Sequence, residues 1–447
     1  MLPGGKTAKT SRFKPIQNPK RISLNSSASP STRLPSSPSK APIQENQENV
    51  LKIPLDPSSS AITIADSEDL VTNNEDLLTN ILLKLPAKSL LCFRCVSRQW
   101  RTIISDPEFR RRHIRSIRCC PTSDFLFFSP YIKPNEIDLL SLSGDGLDSV
   151  GNLSSRLRRS LEGRIISLQA CNGLLCIQFM VNYIRIELIV YNPTTSEHRT
   201  IPWPNEGSHS PPIVRYTSIA FDPLRSDYYK LLGVSFDCGL QFFIYSSESG
   251  VWRVGGAAVA GTFDSDCYFD KGVFWNGDVH FMGKKFCTLC FDVENGCLRP
   301  SMPRIPIRME VMGKWDIKYF GETGGNLYAI YLNRINTAVL SDVFELKRDY
   351  SQWVVKYRFD FSHLVTYYPE MKSCGCCTPC FIADEEGKNA RIVISLKGKF
   401  ILYDINRVFV KELVEVGPVC SNVDERGNSK WYRWYEAYQH VGTFASV

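Results

Sequence analysis

Four thiols fall within seven residues at Cys374-Gly-Cys376-Cys377-Thr-Pro-Cys380, the densest reactive cluster in the 447-residue sequence. Thiolates at that spacing can hold zinc. Structural zinc sites draw two ligand pairs from separate turns, however, and only one such knuckle is present. Cys374, Cys376, Cys377 and Cys380 are therefore weak metal candidates beside the alternative of ordinary reduced cysteines. Cys119-Cys120 is too distant in sequence for its pairing to be argued. The six histidines, at 113, 198, 209, 280, 363 and 440, form no His-Glu-x-x-His or His-x-His pair. Gly321-Glu-Thr-Gly-Gly325 lacks the Gly-Lys-Ser/Thr ending of a phosphate loop, and no Gly-x-Ser-x-Gly elbow occurs. Asp264 with Asp266, and Glu385 with Glu386, read as solvated charge. Nothing in this inventory supports catalysis, and the expectation is a non-enzymatic protein without a cofactor.

Without a reactive centre, what the chain does must lie in surfaces, and those depend on its elements. Residues 1–68 are rich in Ser, Pro, Lys and Asn, and Phe13 is their only aromatic residue. Such a segment buries too little apolar surface to offset its ordering entropy, so a disordered tail is expected. Over residues 1–60 basic side chains exceed acidic ones by six, most of the formal net charge of +7. A solvated tail accounts for this charge; a nucleic-acid contact, a weak nuclear signal or an organelle transit peptide are the other readings. The longest apolar stretch, Leu174 to Tyr191, is interrupted by Gln178, Asn182, Arg185 and Glu187, and reads as two strands rather than a membrane span. Sixteen scattered cysteines, with no secretory signal opening the chain, point to a reducing compartment.

Beyond the tail the pattern becomes helical. Leu77, Ile81 and Leu85 recur every four residues, with Leu78 and Leu82 beside them, which is one apolar stripe along a helix. Asn73 and Asn74 are candidate caps, Glu75 and Asp76 suit the first turn, and Pro86 ends the helix. A second helix is predicted from near Ser89, carrying Leu90, Leu91, Phe93, Val96, Trp100, Ile103 and Ile104. Asp106-Pro107 opens a third, short helix over Glu108 to about Arg115. Three helices in about forty-five residues cannot bury all these apolar side chains, so either some face a partner or the helices form a self-contained subdomain docked on the rest of the chain.

From Asp124 onward the sequence breaks into short strands rich in β-branched and aromatic residues. One pattern, an apolar strand followed by a polar or glycine turn, returns about every fifty residues. It occurs at Leu139–Gly144, Val190–Glu197, Ile244–Trp252, Cys290–Gly296, Val343–Trp353 and Leu402–Asn406. This spacing predicts a kelch-like β-propeller of about six four-stranded blades; a β-helix or a two-sheet sandwich is the alternative. Asn172-Gly173 and Asn192-Pro193 are turn dipeptides expected to close hairpins.

Two stretches carry a family resemblance. Asp76-Leu-Leu-x-x-Ile-Leu-x-x-Leu-Pro-x-Lys-Ser-Leu-Leu-x-Phe-Arg-Cys-Val-Ser-x-x-Trp100, followed by Asp106-Pro-x-Phe109, resembles the plant F-box. Cys171-Asn-Gly-Leu-Leu-Cys176, Tyr191-Asn-Pro-Thr-Thr195 and Ala220-Phe-Asp-Pro223 resemble the F-box-associated domain that follows it. The fold expected is therefore multidomain: a disordered tail (1–68), a three-helix F-box (69–118) and an all-β kelch-like propeller (119–447). The resemblance implies a substrate-recognition subunit of a Skp–cullin–F-box ubiquitin ligase, in the nucleus or cytoplasm. It implies that Leu77, Ile81, Leu82, Leu85, Pro86, Leu90 and Leu91 dock on the Skp adaptor and, through it, reach the cullin. Val96 and Trp100 would hold the helices together, and propeller loops would bind a protein target. No membrane partner is implied and nucleic acid is disfavoured. The basic run Arg110–Arg112 with Arg115 and Arg118 reads as a solvated face or, by the resemblance, a complement to an acidic adaptor. One position departs from the family: Val71-Thr72-Asn73 stands where Leu-Pro ordinarily precedes the acidic pair. That loses a preset turn and an apolar contact, and lowers the expected affinity for the adaptor. The rival readings are a propeller scaffold outside any ligase and a regulator that uses its basic tail on nucleic acid.

Overall fold

The computed structural model describes residues 74–118, 124–128, 137–140, 147–149, 163–181, 185–204, 213–236, 239–256, 267–283, 286–307, 315–335, 338–372, 378–382, 390–396, 399–404, 409–415 and 437–447. The tail expected over 1–68, and Val71–Asn73, lie outside these residues.

Four helices, not three, follow Asn74. Helix α1 (Glu75–Leu82) begins where the Asn74 side chain, on extended backbone, accepts the Leu77 amide at 3.0 Å. Helix α2 (Ala87–Phe93) starts directly after Pro86. The predicted continuous second helix is broken by Ser97, whose backbone is extended and whose hydroxyl accepts the Trp100 amide at 3.1 Å. A serine that bonds the chain two to three residues onward caps a new helix more readily than it continues an old one. Helix α3 (Arg98–Ser105) therefore stands alone, and α4 (Pro107–Arg118) follows with Asp106 accepting the Phe109 amide at 2.9 Å. Leu78, Leu82, Ala87, Leu90, Ile103, Ile104 and Phe109 form the core of this module, joined by Phe444 from the far end of the sequence.

The remaining chain forms six four-stranded antiparallel sheets among the described residues. The first contains β1 (Asp124–Phe127), β2 (Asp138–Leu140) and β3 (Leu147–Ser149); the second β4 (Gly163–Cys171), β5 (Leu174–Val181), β6 (Arg185–Asn192) and β7 (Glu197–Ile201). The third contains β8 (Val214–Ala220), β9 (Lys230–Ser235), β10 (Gln241–Ser246) and β11 (Val251–Val254). The fourth contains β12 (Cys267–Trp275), β13 (Asp278–Gly283), β14 (Thr288–Asp292) and β15 (Cys297–Leu298). The fifth contains β16 (Trp315–Thr323), β17 (Asn326–Ile335), β18 (Ala338–Leu346) and β19 (Trp353–Asp360). The sixth contains β20 (Thr378–Ile382), β21 (Arg391–Leu396), β22 (Lys399–Asp404) and β23 (Phe409–Glu415).

The last strand, β24 (Ala437–His440), returns to pair with β1, so the first sheet has the order β24-β1-β2-β3. This return closes a propeller, and closure removes the exposed sheet edges that would otherwise seed aggregation. The Phe127 and Phe400 rings, 4.6 Å apart, join the first and sixth blades. Lys271 on β12 donates to the Ala437 carbonyl on β24 at 2.5 Å, linking the inner strands of blades four and one. Each of the six repeats read from the sequence falls at an equivalent place, where a blade's third strand turns into its outermost one. The apolar stretch from Leu174 is two strands, β5 and β6.

Alternation of strand direction sorts the turns between two faces. Turns from first to second strand and from third to fourth lie on one face. The strand ends between second and third strand, and those that open and close each blade, lie on the other. The helical module leads into β1 on the first of these faces.

Candidate adaptor-docking surface

The apolar stripe of α1 is split by the fold. Leu77 and Ile81 are 42% and 43% exposed, whereas Leu78 and Leu82 face inward and are almost wholly covered. Pro86 is exposed, and Leu85 and Leu91 are half-buried at the edge of the core. Leu77, Ile81, Leu85, Pro86 and Leu91 thus present apolar surface along α1, its exit turn and α2. Two expected docking residues are corrected: Leu82 and Leu90 have no exposed surface and belong to the module's own core. Four-residue spacing on a helix places Leu78 and Leu82 on one stripe and Leu77 and Ile81 on the next, about 100° round, so spacing alone does not say which stripe turns inward. Val96 is a second correction. It is 60% exposed, because it lies in the turn opened by Ser97 rather than on a helical face. Trp100 stacks edge-on to Phe93 at 5.3 Å and so bridges α3 and α2.

Around this surface the charges are arranged locally. Glu108 pairs with Arg111 at 3.0 Å and with Arg115 at 3.7 Å, on an exposed side of α4. Exposed pairs of this kind contribute little to stability. His113 is fully buried and its Nε2 donates to the Leu85 carbonyl at 2.7 Å, holding the exit turn of α1 against α4. Burial lowers the His113 pKa, and the bond to Leu85 opposes that shift. A groove of about 560 Å³ between the start of α1 and the start of α4 is lined by Glu75, Asp76, Asp106, Glu108 and Arg112.

A buried polar cluster in the propeller was not legible in the sequence. His280 on β13 lies directly opposite Cys290 on β14, and Asp278 shares the His280 side of its strand because side chains two apart point the same way. Donor atoms of Asp278, His280 and Cys290 lie within 4.8 Å of one another, a spacing that could suit a metal. Asp278 is already occupied. Its Oδ2 accepts from Arg299 Nε at 2.8 Å and from the Tyr350 hydroxyl at 2.9 Å. Arg299 Nη2 approaches the same oxygen at 2.7 Å. The guanidinium also approaches Asp292 at 3.9 Å, and burial keeps Cys290 a protonated thiol. A metal ion would have to displace the guanidinium and the tyrosine hydroxyl that already take the Asp278 oxygen. The cluster is better described as a network joining blades four and five through Tyr350, which stacks on His280 at 5.7 Å. An Asp-x-His pair on a strand, followed by Cys ten residues later, is the trace it leaves in sequence.

Burial in this cluster pushes the His280 pKa down to about 3, against backbone groups of Val273 and Asp278 that pull it up. The neutral ring is the folded form. Stability is therefore complete above the unfolded pKa of about 6.5 and is lost as pH falls below it. At pH 5 the expected loss from His280 is about 2 kcal/mol. Burial shifts His113 and His440 in the same direction. Urea unfolding from pH 7.5 to 5 checks this, with a shallower dependence expected for His280→Phe; identical slopes for the two chains would refute the assignment.

Of the four zinc candidates, Cys374, Cys376 and Cys377 lie outside the described residues, as do Asp264, Asp266, Glu385 and Glu386. Cys380 lies on β20. Among the described helices none is long and apolar enough to cross a membrane.

Comparison with known proteins agrees with this architecture. The F-box domain family matches residues 74–112, which is the helical module, and the F-box associated beta propeller domain family matches residues 134–322. F-box protein At5g07610 of Arabidopsis thaliana is 28% identical over 422 residues, covering 87% of this chain and 94% of that protein. The putative F-box/kelch-repeat protein At3g17570 of the same plant is 28% identical over 280 residues, covering 61% of this chain and 65% of that protein. Among solved structures, TolB from Acinetobacter baumannii is similar at a TM-score of 0.37 and 9% identity, over 65% of this chain and 62% of that one, a likeness on which nothing rests. A module with the F-box sequence, carried on a six-bladed propeller whose first half matches the associated domain, places this chain among the plant F-box proteins.

Proposed function

We propose that this protein is the substrate-recognition subunit of a Skp–cullin–F-box ubiquitin ligase, binding the Skp-type adaptor through the module and a target protein through the propeller. The observation that carries the reading is the row formed by exposed Leu77, Ile81 and Pro86 with half-buried Leu85 and Leu91, outside a module core made of other residues. Apolar side chains left over from a complete core are the ordinary signature of a partner's seat. The subunit performs no bond chemistry. It holds a target's lysines close to a charged conjugating enzyme, and the proximity accelerates transfer. Such a role belongs in the nucleus or cytoplasm, where cullin ligases work.

The target's seat belongs on the propeller face away from the module. Exposed Ile213, at the entry to β8, and Phe236, at the exit of β9, lie there side by side. Phe236 is held edge-on to Tyr216 at 6.2 Å and to Phe269 at 5.4 Å, which preorganises it as an anchor.

The test is titration of a purified Skp-type adaptor into the full chain, beside a Leu77→Asp, Ile81→Asp double variant. Binding that weakens at least 100-fold in the variant, with unchanged thermal unfolding, supports the reading. No binding by the unaltered chain overturns it and leaves a propeller scaffold.

A further inference from the structure

Beyond β24 the chain leaves the ring-closing strand and runs as an extended segment, residues 441–447, between the module and the propeller. Its residues alternate in what they touch, as an extended chain requires. Phe444 points into the module, where it is 7% exposed among Leu78, Leu82, Leu90 and Phe109, with its ring 5.7 Å from His113. A Cβ at Gly442 would sit 3.3 Å from Thr194 Oγ1 of the propeller and 3.5 Å from the Ala87 Cβ of the module, so the segment is held closely by both at this point. Thr443, Ala445 and Val447 face the propeller. Ala445 and Val447 pack on the core shared by blades two and three, beside Leu174, Leu188 and Tyr245.

The propeller side is shaped for this segment. Asn192, wholly buried, donates from Nδ2 to the Thr443 carbonyl at 3.0 Å and to the Ala445 carbonyl at 2.8 Å. Its Oδ1 accepts the Thr194 amide at 2.9 Å and the Thr195 amide at 3.4 Å. Both amide hydrogens and both acceptor positions are used, and only one orientation of the amide satisfies two carbonyls and two N–H groups together. Thr194 Oγ1 accepts the Thr443 amide at 3.2 Å. Gly173, at φ +88°, forms the floor: a side chain there would meet the Thr443 side chain and lie 2.6 Å from the Val441 carbonyl. The two hairpins that carry the family's sequence strings thus do more than turn the chain. The Asn192–Thr195 hairpin reads the backbone of the segment, with carbonyls two residues apart held by one amide, and Gly173 of the other hairpin leaves room for it.

We propose that the Asn172–Gly173 and Asn192–Thr195 hairpins form a peptide-binding groove on the propeller whose ligand is residues 441–447 of the same chain, bound in cis as the clasp that fixes the F-box. The groove and its ligand stand without the ligase reading. Their consequence, a fixed orientation between adaptor and target, rests on it.

The experiment compares the full chain with a chain ended after His440, which keeps β24 and ring closure. The probe is the synthetic peptide Val-Gly-Thr-Phe-Ala-Ser-Val. The shortened chain is expected to bind it in trans. At least ten-fold weaker binding is expected when the peptide carries Phe444→Ala or the shortened chain carries Asn192→Asp. Asn192→Asp keeps the acceptor for the turn amides but replaces the two donors, so it removes the clasp bonds without removing the turn. Should the shortened chain fail to fold, hydrogen exchange on the full-length Asn192→Asp chain decides. At least ten-fold faster exchange at the Thr443 amide and in α1 and α2, with the inner strands of the blades unchanged, supports the clasp. A folded shortened chain that ignores the peptide, or full-length exchange equal to that of the unaltered chain, overturns it. Adaptor titration of the unaltered chain is a separate readout: its failure removes the ligase reading and leaves the groove, and the reverse outcome leaves the ligase reading alone.

Discussion

Replacing Arg299 with alanine is expected to destabilise the propeller by about 3 kcal/mol, because it strips the charge partner from a carboxylate that cannot reach water. Asp278 is 3% exposed, and its Oδ2 holds two short contacts to the guanidinium, at 2.8 and 2.7 Å. The Tyr350 hydroxyl remains after the substitution but supplies no charge. The value sits at the low end for a broken buried pair because the Arg299 side chain is 40% exposed and water screens that end. Urea unfolding at pH 7.5 gives the number. A double-mutant cycle with Asp278→Asn separates the pair from general packing: the second change should restore part of the loss, since a neutral amide is less costly to leave buried than a carboxylate. Full additivity of the two changes would show that the ion pair does not hold these blades together.

Leu82→Ala should unfold the helical module, with a loss of about 2–5 kcal/mol, while Leu77→Ala leaves stability within about 0.5 kcal/mol. The residues are of one type on one helix, five positions apart. Leu82 has no exposed surface and belongs to one core cluster with Ile103, Ile104 and Phe444, so its removal leaves a cavity; Leu77 is 42% exposed and leaves none. In an adaptor titration the order changes. Leu77→Ala should weaken binding directly, and Leu82→Ala only as far as the module is unfolded. Equal destabilisation by both would mean that the two stripes of α1 are not divided between core and partner.

Much of this architecture is legible without coordinates. A helix that stops short of Pro86, a cap at Asp106 before Pro107 and strands punctuated by glycine and asparagine are local consequences of residue type. The repeat of about fifty residues reports one structural event per blade, the turn into the outermost strand, and so it counts blades. Ser97 shows where local reading falls short. The apolar pattern runs through it without a gap, but its hydroxyl caps α3 and turns Val96 into solvent.

The docking residues divide in the same way. Sequence marks one apolar stripe on α1; which part of it is core depends on α3, α4 and Phe444 closing over Leu78 and Leu82. Cross-strand register decided the Asp278–His280–Cys290 cluster, and Arg299 and Tyr350 arrive there from outside the β13–β14 hairpin. Asn192 is a plain hairpin residue until a segment some 250 positions later is laid across it.

By itself, then, the sequence determined the order of the modules, the helical and strand periods and the number of blades, since each follows from short-range spacing and turn chemistry; the family came from the resemblance of its motif strings. The tertiary structure alone decided which leucines are free to bind, what neutralises the buried carboxylate, and how residues 441–447 tie the F-box to the propeller. Those depend on contacts between residues far apart in the chain, and no local pattern encodes which distant side chain will cover a given face.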